Sequence, residues 1–243
     1  MTFKDTKQIS SEISNILDSI RGLPPISCTR CGVLYRGEAK DFVCSRCIEK
    51  EEEKREKKIR KNHQIQTLLN LSNIPKRYNK AIFKAKTSIQ TEVLQYFVEN
   101  FSQMSLDQSS DVLLFGAIGT GKTYLSCAFA LELIHKKQKG VKYITDYDLL
   151  SLYFEKNYQE FKKFKESDIL ILDEIGKRVL ADWQRIQLEE LLSHRYNQRR
   201  PTIYITNLEQ EAFREFLGLR LADRLKENNL ERFAFNGVSL RGA

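Results

Sequence analysis

Two groups of residues in this chain have types and spacings suited to chemistry. The first is "GAIGTGKT", Gly116–Thr123, which fits G-x-x-x-x-G-K-[ST]. The apolar run "VLLF" (112–115) precedes it and the helical pattern "YLSCAFALELI" follows, the setting that a phosphate-binding loop needs. Gly116, Gly119 and Gly121 let the backbone approach an anion. Consecutive N–H groups around Thr120, together with the N-terminus of the following helix, bind it. Lys122 is placed to reach β- and γ-phosphates and Thr123 to hold Mg²⁺. The alternative, a chance glycine-rich turn, would not need both flanks.

"ILILDEIG" supplies a second half to that site. Asp173 is expected to end an apolar strand, where a carboxylate supports Mg²⁺ beside the phosphates. Glu174 follows, suited to orienting and deprotonating an attacking water; otherwise it is a solvated acid at a strand end. Asn207 closes "TIYITN", where an amide can help hold that water, although Asn after a strand is commonly a turn residue.

The second group is Cys28, Cys31, Cys44 and Cys47, two C-x-x-C pairs drawn from five cysteines. Each pair can give two thiolates to a tetrahedral Zn²⁺, with an intervening hairpin closing the site. A filled four-sulfur shell leaves no place for water, so the ion would be structural. A redox dithiol and unpaired thiols are the other readings; the thioredoxin-like βαβ unit expected beside a redox pair is missing from this region. Arg30, Arg36, Lys40 and Arg46, with Tyr35 and Phe42 between them, suit a DNA or a protein partner. His63 reads as a surface residue and Cys127 as a small packing residue.

These residues need elements to hold them. Ile9, Ile13, Ile16, Leu17 and Ile20 mark an amphipathic helix with little to pack on, which favours a partner helix or groove. After the cysteines comes "IEKEEEKREKKIRKNHQIQTLLNL", where Glu51–Arg55, Glu53–Lys57 and Glu56–Arg60 fall at i,i+4 on a solvated helix. "NIPKRYNKAIF" (73–83) reads as a domain boundary and the first strand of the next domain, giving domains 1–72 and 73–243. From 112 onward, apolar runs at 112–115, 141–145, 168–173, 202–206 and 232–235 read as strands, with helical patterns between the first four. That implies a mostly parallel sheet covered on both faces.

Composition sets outer limits. Of 243 residues, 41% are hydrophobic and 30% charged, with a net charge of +8 and a pI near 9.1. The basic balance leans toward nucleic acid. No apolar run reaches the ~20 residues of a membrane span, and "MTFKDTKQISSEI" lacks the pattern of a signal peptide. The expected location is cytoplasmic, nucleoid-associated when active.

"GAIGTGKT", "ILILDEIG" and "RRPTIYITN", in this order, resemble an AAA+ ATPase. More narrowly, with "IPKRY…IF", the chain resembles the bacterial helicase loaders of the DnaC/DnaI type and their relatives, the IstB-type transposition ATPases. The resemblance covers about residues 73–243. It implies an α/β P-loop core that binds ATP, with a five-stranded parallel sheet in the order 5-1-4-3-2. Only 36 residues follow Asn207, so a separate helical lid is expected to be missing or vestigial. The DnaI branch carries an N-terminal zinc module, and in loaders the N-terminal domain grips the helicase.

"LRLADRL" (219–225) sets Arg220 and Arg224 on one helix face and Leu221 and Leu225 on another. Like charges so placed repel by roughly 0.2–0.5 kcal/mol in an isolated helix. Glu227 offers an internal salt bridge. The resemblance gives the pair another anion: the segment matches the loaders' arginine-finger box, with Arg224 at the finger position and Arg220 in support. The finger would act on ATP held by a neighbouring copy, implying a homo-oligomer when ATP is bound. Arg241 would be a further nucleotide sensor. "LYFEKNYQEFKKFK" (152–165) interleaves aromatics with lysines; it either faces single-stranded DNA or buries its aromatics and wets its lysines.

The expected function is an ATP-dependent loader that binds a hexameric replicative DNA helicase and delivers it onto single-stranded DNA, with slow, DNA-stimulated hydrolysis. A transposition ATPase shares the core, but that group is not marked by four N-terminal cysteines. A P-loop kinase and a zinc-ribbon DNA-binding adaptor are further alternatives.

Overall fold

The computed structural model describes residues 25–36, 42–101, 110–227 and 229–240. The expected helix over 9–20, Lys40 and Arg241 lie outside them. Two compact units result, residues 1–63 and 64–243.

In the first unit, β1 (Ile26–Ser27) and β2 (Leu34–Tyr35) pair antiparallel, Ile26 opposite Tyr35. This hairpin carries the first C-x-x-C pair in its loop, so it does not bridge the two pairs as expected. Helix α1 (Ser45–Leu71) starts directly after Cys44. Residues 49–64 of it are exposed, as the charge run predicts. The Glu56–Arg60 pair forms at 3.3 Å, whereas Glu51 reaches Arg30 near the cysteines.

The second unit takes the last turns of α1, where Ile65 is buried and Leu68 and Leu69 pack on the core. The strand expected at 73–83 does not form; a single 3-10 turn, Lys76–Tyr78, replaces it. Pro75 lacks an amide donor. Ile74, Tyr78 and Phe83 anchor the segment to the core at spacings that fit no alternating strand.

Helix α2 (Ser88–Phe101) leads to β3 (Val112–Gly116) and α3 (Lys122–Lys137). Next come β4 (Val141–Thr145), α4 (Asp146–Phe154) and α5 (Tyr158–Lys165). Then follow β5 (Ile169–Ile175), α6 (Asp182–Asn197) and β6 (Thr202–Thr206). Helices α7 (Gln210–Leu217) and α8 (Leu219–Glu227) precede β7 (Glu231–Phe235). The strands form one parallel sheet in the order β4-β5-β6-β3-β7. Counting only these strands, and from the β7 edge, this is 5-1-4-3-2, as the resemblance implies.

Alternation along the strands builds a core on each face. Val112, Leu114, Ile169, Ile171, Ile203 and Ile205 pack toward α2 and α3. Leu113, Leu170, Leu172 and Tyr204 pack toward α4–α8. Leu221 and Leu225 are each 3% exposed, the buried face expected of α8. No separate helical lid stands among the described residues after Asn207, and none of their helices is long and apolar enough to cross a membrane.

Candidate nucleotide site and metal centre

The phosphate loop springs from the C-terminal end of β3, where open parallel sheets place their ligands. Gly119 and Gly121 take φ of +81° and +94°. Neither has room for a side chain. A Cβ at Gly119 would lie 2.2 Å from Ser239 Oγ, and one at Gly121 2.6 Å from Gln90 Nε2. The chain's end supports the loop too, since Leu240 N–H donates to Gly119 O at 2.8 Å. Buried Gln90 donates from Nε2 to Thr120 O at 3.0 Å and accepts from Lys86 N–H at 2.8 Å. A trans peptide points its C=O and N–H oppositely, so turning the Thr120 carbonyl toward Gln90 turns the Gly121 N–H the other way.

Lys122 is buried at the mouth of this loop. Its ammonium donates to Gly116 O and Ala117 O, each at 2.8 Å, and to Asn207 Oδ1 at 3.0 Å. The fold thus joins Lys122 and Asn207, 85 positions apart in sequence. Thr123 Oγ1 donates to Asp173 Oδ2 at 2.9 Å, as does Tyr143 Oη at 2.8 Å, while Glu174 N–H reaches Asp173 Oδ1 at 2.7 Å. Burial pushes the Asp173 carboxyl above its ordinary value, against these three donors. Burial, then the neighbouring carboxylate, pushes the Tyr143 phenol up as well, so it stays a donor.

Asp173 does not end its strand. β5 continues to Ile175 through a shift in register against β6. The irregularity puts Glu174 at φ +57° with its side chain exposed. Lys177 Nζ holds Glu174 Oε2 at 3.1 Å, and buried Asp146 accepts from Gly176 N–H at 3.2 Å, steadying the following turn. Loop, carboxylates and Asn207 line one cleft of ≈ 340 Å³.

Sequence reading missed several residues of this cleft. Arg77, Lys84 and Lys86 bring cations, Tyr78 a ring, and Leu240 an apolar wall. The basic density of "PKRYNKAIFKAK" was the available signal for the first three. Nothing local marked Gln90 or Tyr143, whose roles depend on distant partners.

Neither arginine of "LRLADRL" lines the cleft. Exposed Arg220 pairs with Glu189 of α6 at 3.3 Å. Half-buried Arg224 donates to Ser193 Oγ, with its guanidinium 5.8 Å from the Tyr196 ring centre. The salt bridge offered by Glu227 is not what forms: Glu227 accepts the Tyr196 hydroxyl at 2.7 Å.

In the other unit, the four thiols of Cys28, Cys31, Cys44 and Cys47 lie within 4.8 Å of one another and could hold a metal ion. The Cys28–Cys47 sulfurs are 3.9 Å apart and the Cys31–Cys44 sulfurs 3.7 Å. A tetrahedron with metal–sulfur bonds of about 2.3 Å requires about 3.8 Å. These approaches run between the pairs, so the thiols converge on one point as a metal needs. Cys44 N–H donates to Cys28 Sγ at 3.4 Å, and with other backbone amides pulls that thiol down to about 6. His63 is exposed and outside the cluster. Cys127 is buried in α3, its thiol pushed up to about 12 by burial.

The segment 152–165 divides. Phe161 and Phe164 are core, 6% and 0% exposed, while Phe154 and Tyr158 are 74% and 51% exposed. Tyr153 links Tyr158 at 5.2 Å to Trp183 at 6.4 Å between ring centres. Lys162 and Lys163 pair with acids three or four residues away, Glu166 at 3.6 Å and Glu160 at 2.6 Å.

The family model described as IstB-like ATP binding protein matches residues 44–234. The replicative helicase loader DnaC of Escherichia coli (strain K12) is 29% identical over 133 residues, 52% of this chain and 54% of its own length. The chain thus spans about half the length of that relative. The uncharacterized protein YdaV of the same strain is 28% identical over 194 residues, 75% of this chain and 77% of its own. A crystal structure of the DnaC helicase loader superposes with a TM-score of 0.59 at 25% identity, over 66% of this chain and 99% of that one. DnaI gives 0.61 at 17%, over 70% and 95%, a likeness of fold.

Proposed function

We propose, from the premise that this chain belongs to the IstB-like ATP binding protein family, that it is an ATP-driven loader of a ring-shaped replicative DNA helicase. One observation carries the reading. Lys122, Thr123, Asp173, Glu174 and Asn207 converge from three strand ends on one cleft, in a chain similar to a DnaC loader over 133 residues.

The residues fit ATP with Mg²⁺. Loop amides and Lys122 take the phosphates, and Thr123 and Asp173 would hold the ion, which would supply neutralisation of the phosphate charge. Exposed Glu174 orients the attacking water and accepts its proton, and Asn207 holds the water near Lys122. The four thiolates suit a structural Zn²⁺. Their module, with the N-terminal segment, is the natural grip for the helicase. Phe154, Tyr158, Tyr153 and Trp183 offer single-stranded DNA a stacking surface. Arg224, supported by Arg220, does not line its own cleft and would serve as a finger for the ATP of a neighbouring copy.

The test is co-purification with a purified hexameric replicative helicase, alongside ATPase assays with and without single-stranded DNA. A stable complex that forms with ATP and dissociates with its hydrolysis is expected. A chain that ignores helicase and instead binds a transposase would be an IstB-type transposition ATPase, the reading its family match also favours.

A further inference from the structure

We propose that Tyr143 is a positioning residue for the divalent cation of the nucleotide site: its hydroxyl fixes the plane of the Asp173 carboxylate so that Thr123 faces the ion correctly. This rests on the nucleotide reading above.

Asp173 Oδ2 accepts from two hydroxyls at once, Thr123 at 2.9 Å and Tyr143 at 2.8 Å. They differ in what else they can do. A threonine hydroxyl has one proton and two lone pairs, so Thr123 can donate to Asp173 and still turn a lone pair to a cation. That arrangement holds only while the carboxylate keeps its plane. The terminal torsion of an aspartate is broad, and among the described residues its other oxygen is tied to the adjacent backbone amide alone, Glu174 N–H at 2.7 Å. Tyr143 supplies the independent anchor.

The anchor is itself fixed. Tyr143 lies opposite Ile171 in the β4–β5 ladder, and its own N–H donates to Ser72 O at 2.8 Å. Its ring is 8% exposed and belongs to the apolar cluster around α3. Phenylalanine would satisfy that packing equally well. What the hydroxyl adds is the bond to Asp173, a buried polar contact that the core does not require. Hydrogen-bond partners of this kind orient the groups around a metal and typically change its affinity 10–100-fold when removed.

The experiment is Tyr143→Phe in the full chain. A fluorescent ATP analogue is titrated in EDTA and in Mg²⁺, and Mn²⁺ binding to the protein–nucleotide complex is followed by electron paramagnetic resonance. Metal-free analogue binding should stay within about twofold of wild type, while Mn²⁺ affinity falls about tenfold or more. Unchanged Mn²⁺ affinity would overturn the inference. So would an equal loss with and without metal, which would make Tyr143 a packing residue. Failure of the wild-type chain to bind the analogue under any condition would instead overturn the nucleotide reading, and this inference with it. A variant too unstable to measure would mean that the hydroxyl serves the fold, and would count against the inference.

Discussion

The cysteine module and the phosphate site hold their reactive atoms by opposite means. Among described residues 25–63, only Cys28 and Cys44 are buried. Two strands of two residues and the first turn of a helix are all that frame the thiols. Among these described residues the sulfurs converge with no other buried side chain around them, so a bound ion would supply the energy that a core supplies elsewhere. The phosphate loop sits instead on a five-stranded sheet with packed faces on both sides. There the fold comes first and the ligand adapts to it. The difference teaches where each region would be vulnerable: the four-thiol cluster, if it holds the proposed zinc, to loss of that ion, the sheet to loss of single side chains.

The largest expected effect breaks the comparison at the ion. Structural zinc contributes about 10–16 kcal/mol in small zinc-binding peptides. Cys28→Ser, or a strong chelator, should unfold residues 26–48 and abolish helicase binding. ATP binding should remain within about twofold, because the thiols and the nucleotide cleft belong to different compact units. Metal analysis of fresh protein should give one zinc per chain. Loss of ATP binding together with zinc would show that the two regions are not energetically separate.

Next come the reacting residues at the phosphate end. Glu174→Gln should bind MgATP normally and hydrolyse it about 10²–10⁴-fold more slowly, the usual range for a lost general base. Arg224→Ala should also bind ATP but lose DNA-stimulated hydrolysis and self-assembly. Mixing it with Lys122→Ala should restore part of the rate, since each contributes what the other lacks at a shared interface. An Arg224→Ala protein that matches wild type at every concentration would make its bond to Ser193 the residue's whole role.

How much of this was legible in the sequence differs between the regions for the same physical reason. Cysteine spacing and the G-x-x-x-x-G-K-T pattern are local, and local patterns survive in one dimension. The sheet order followed from the resemblance alone, and the parallel sheet from the alternation of strand-like and helix-like segments. Gln90 and Tyr143 were invisible, because a lone Gln on a helix or Tyr in an apolar strand signals nothing until a partner 30 positions away is folded against it. The strand expected at 73–83 failed because Pro75 and irregular anchor spacing outweighed an apolar look. Asp173 is expected to end its strand with the candidate base Glu174 just past it, whereas β5 runs on to Ile175 and Glu174 occupies an irregularity inside it.

A smaller effect sharpens the comparison inside the second unit, between inward and outward aromatics of one segment. Phe161→Ala removes a buried ring and should destabilise the domain by about 3–5 kcal/mol. Phe154→Ala should change stability by less than about 0.5 kcal/mol yet weaken single-stranded DNA binding by about 1–3 kcal/mol. Thermal melts and DNA titrations on the two variants read these directions separately. Equal DNA affinity for Phe154→Ala and wild type would remove the stacking surface.

The smallest effect concerns the lysines beside those rings. Lys162 and Lys163 are 62% and 54% exposed at their side chains, and each pairs with an acid three or four residues away. Such exposed pairs contribute about 0–1 kcal/mol, so Lys162→Glu with Lys163→Glu should barely move the melting temperature. If the side chains meet phosphates, the change acts elsewhere. Each phosphate contact on a single strand adds about 0.7 to the slope of log affinity against log salt. Loss of two should flatten the slope by about 1.4 on the same scale, with the deficit greatest at low salt. Glu160 and Glu166 already draw on these ammonium groups, so the measured flattening should fall at or below that figure. An unchanged slope at constant stability would assign both lysines to the wetted face of α5 and leave DNA to the aromatic surface alone.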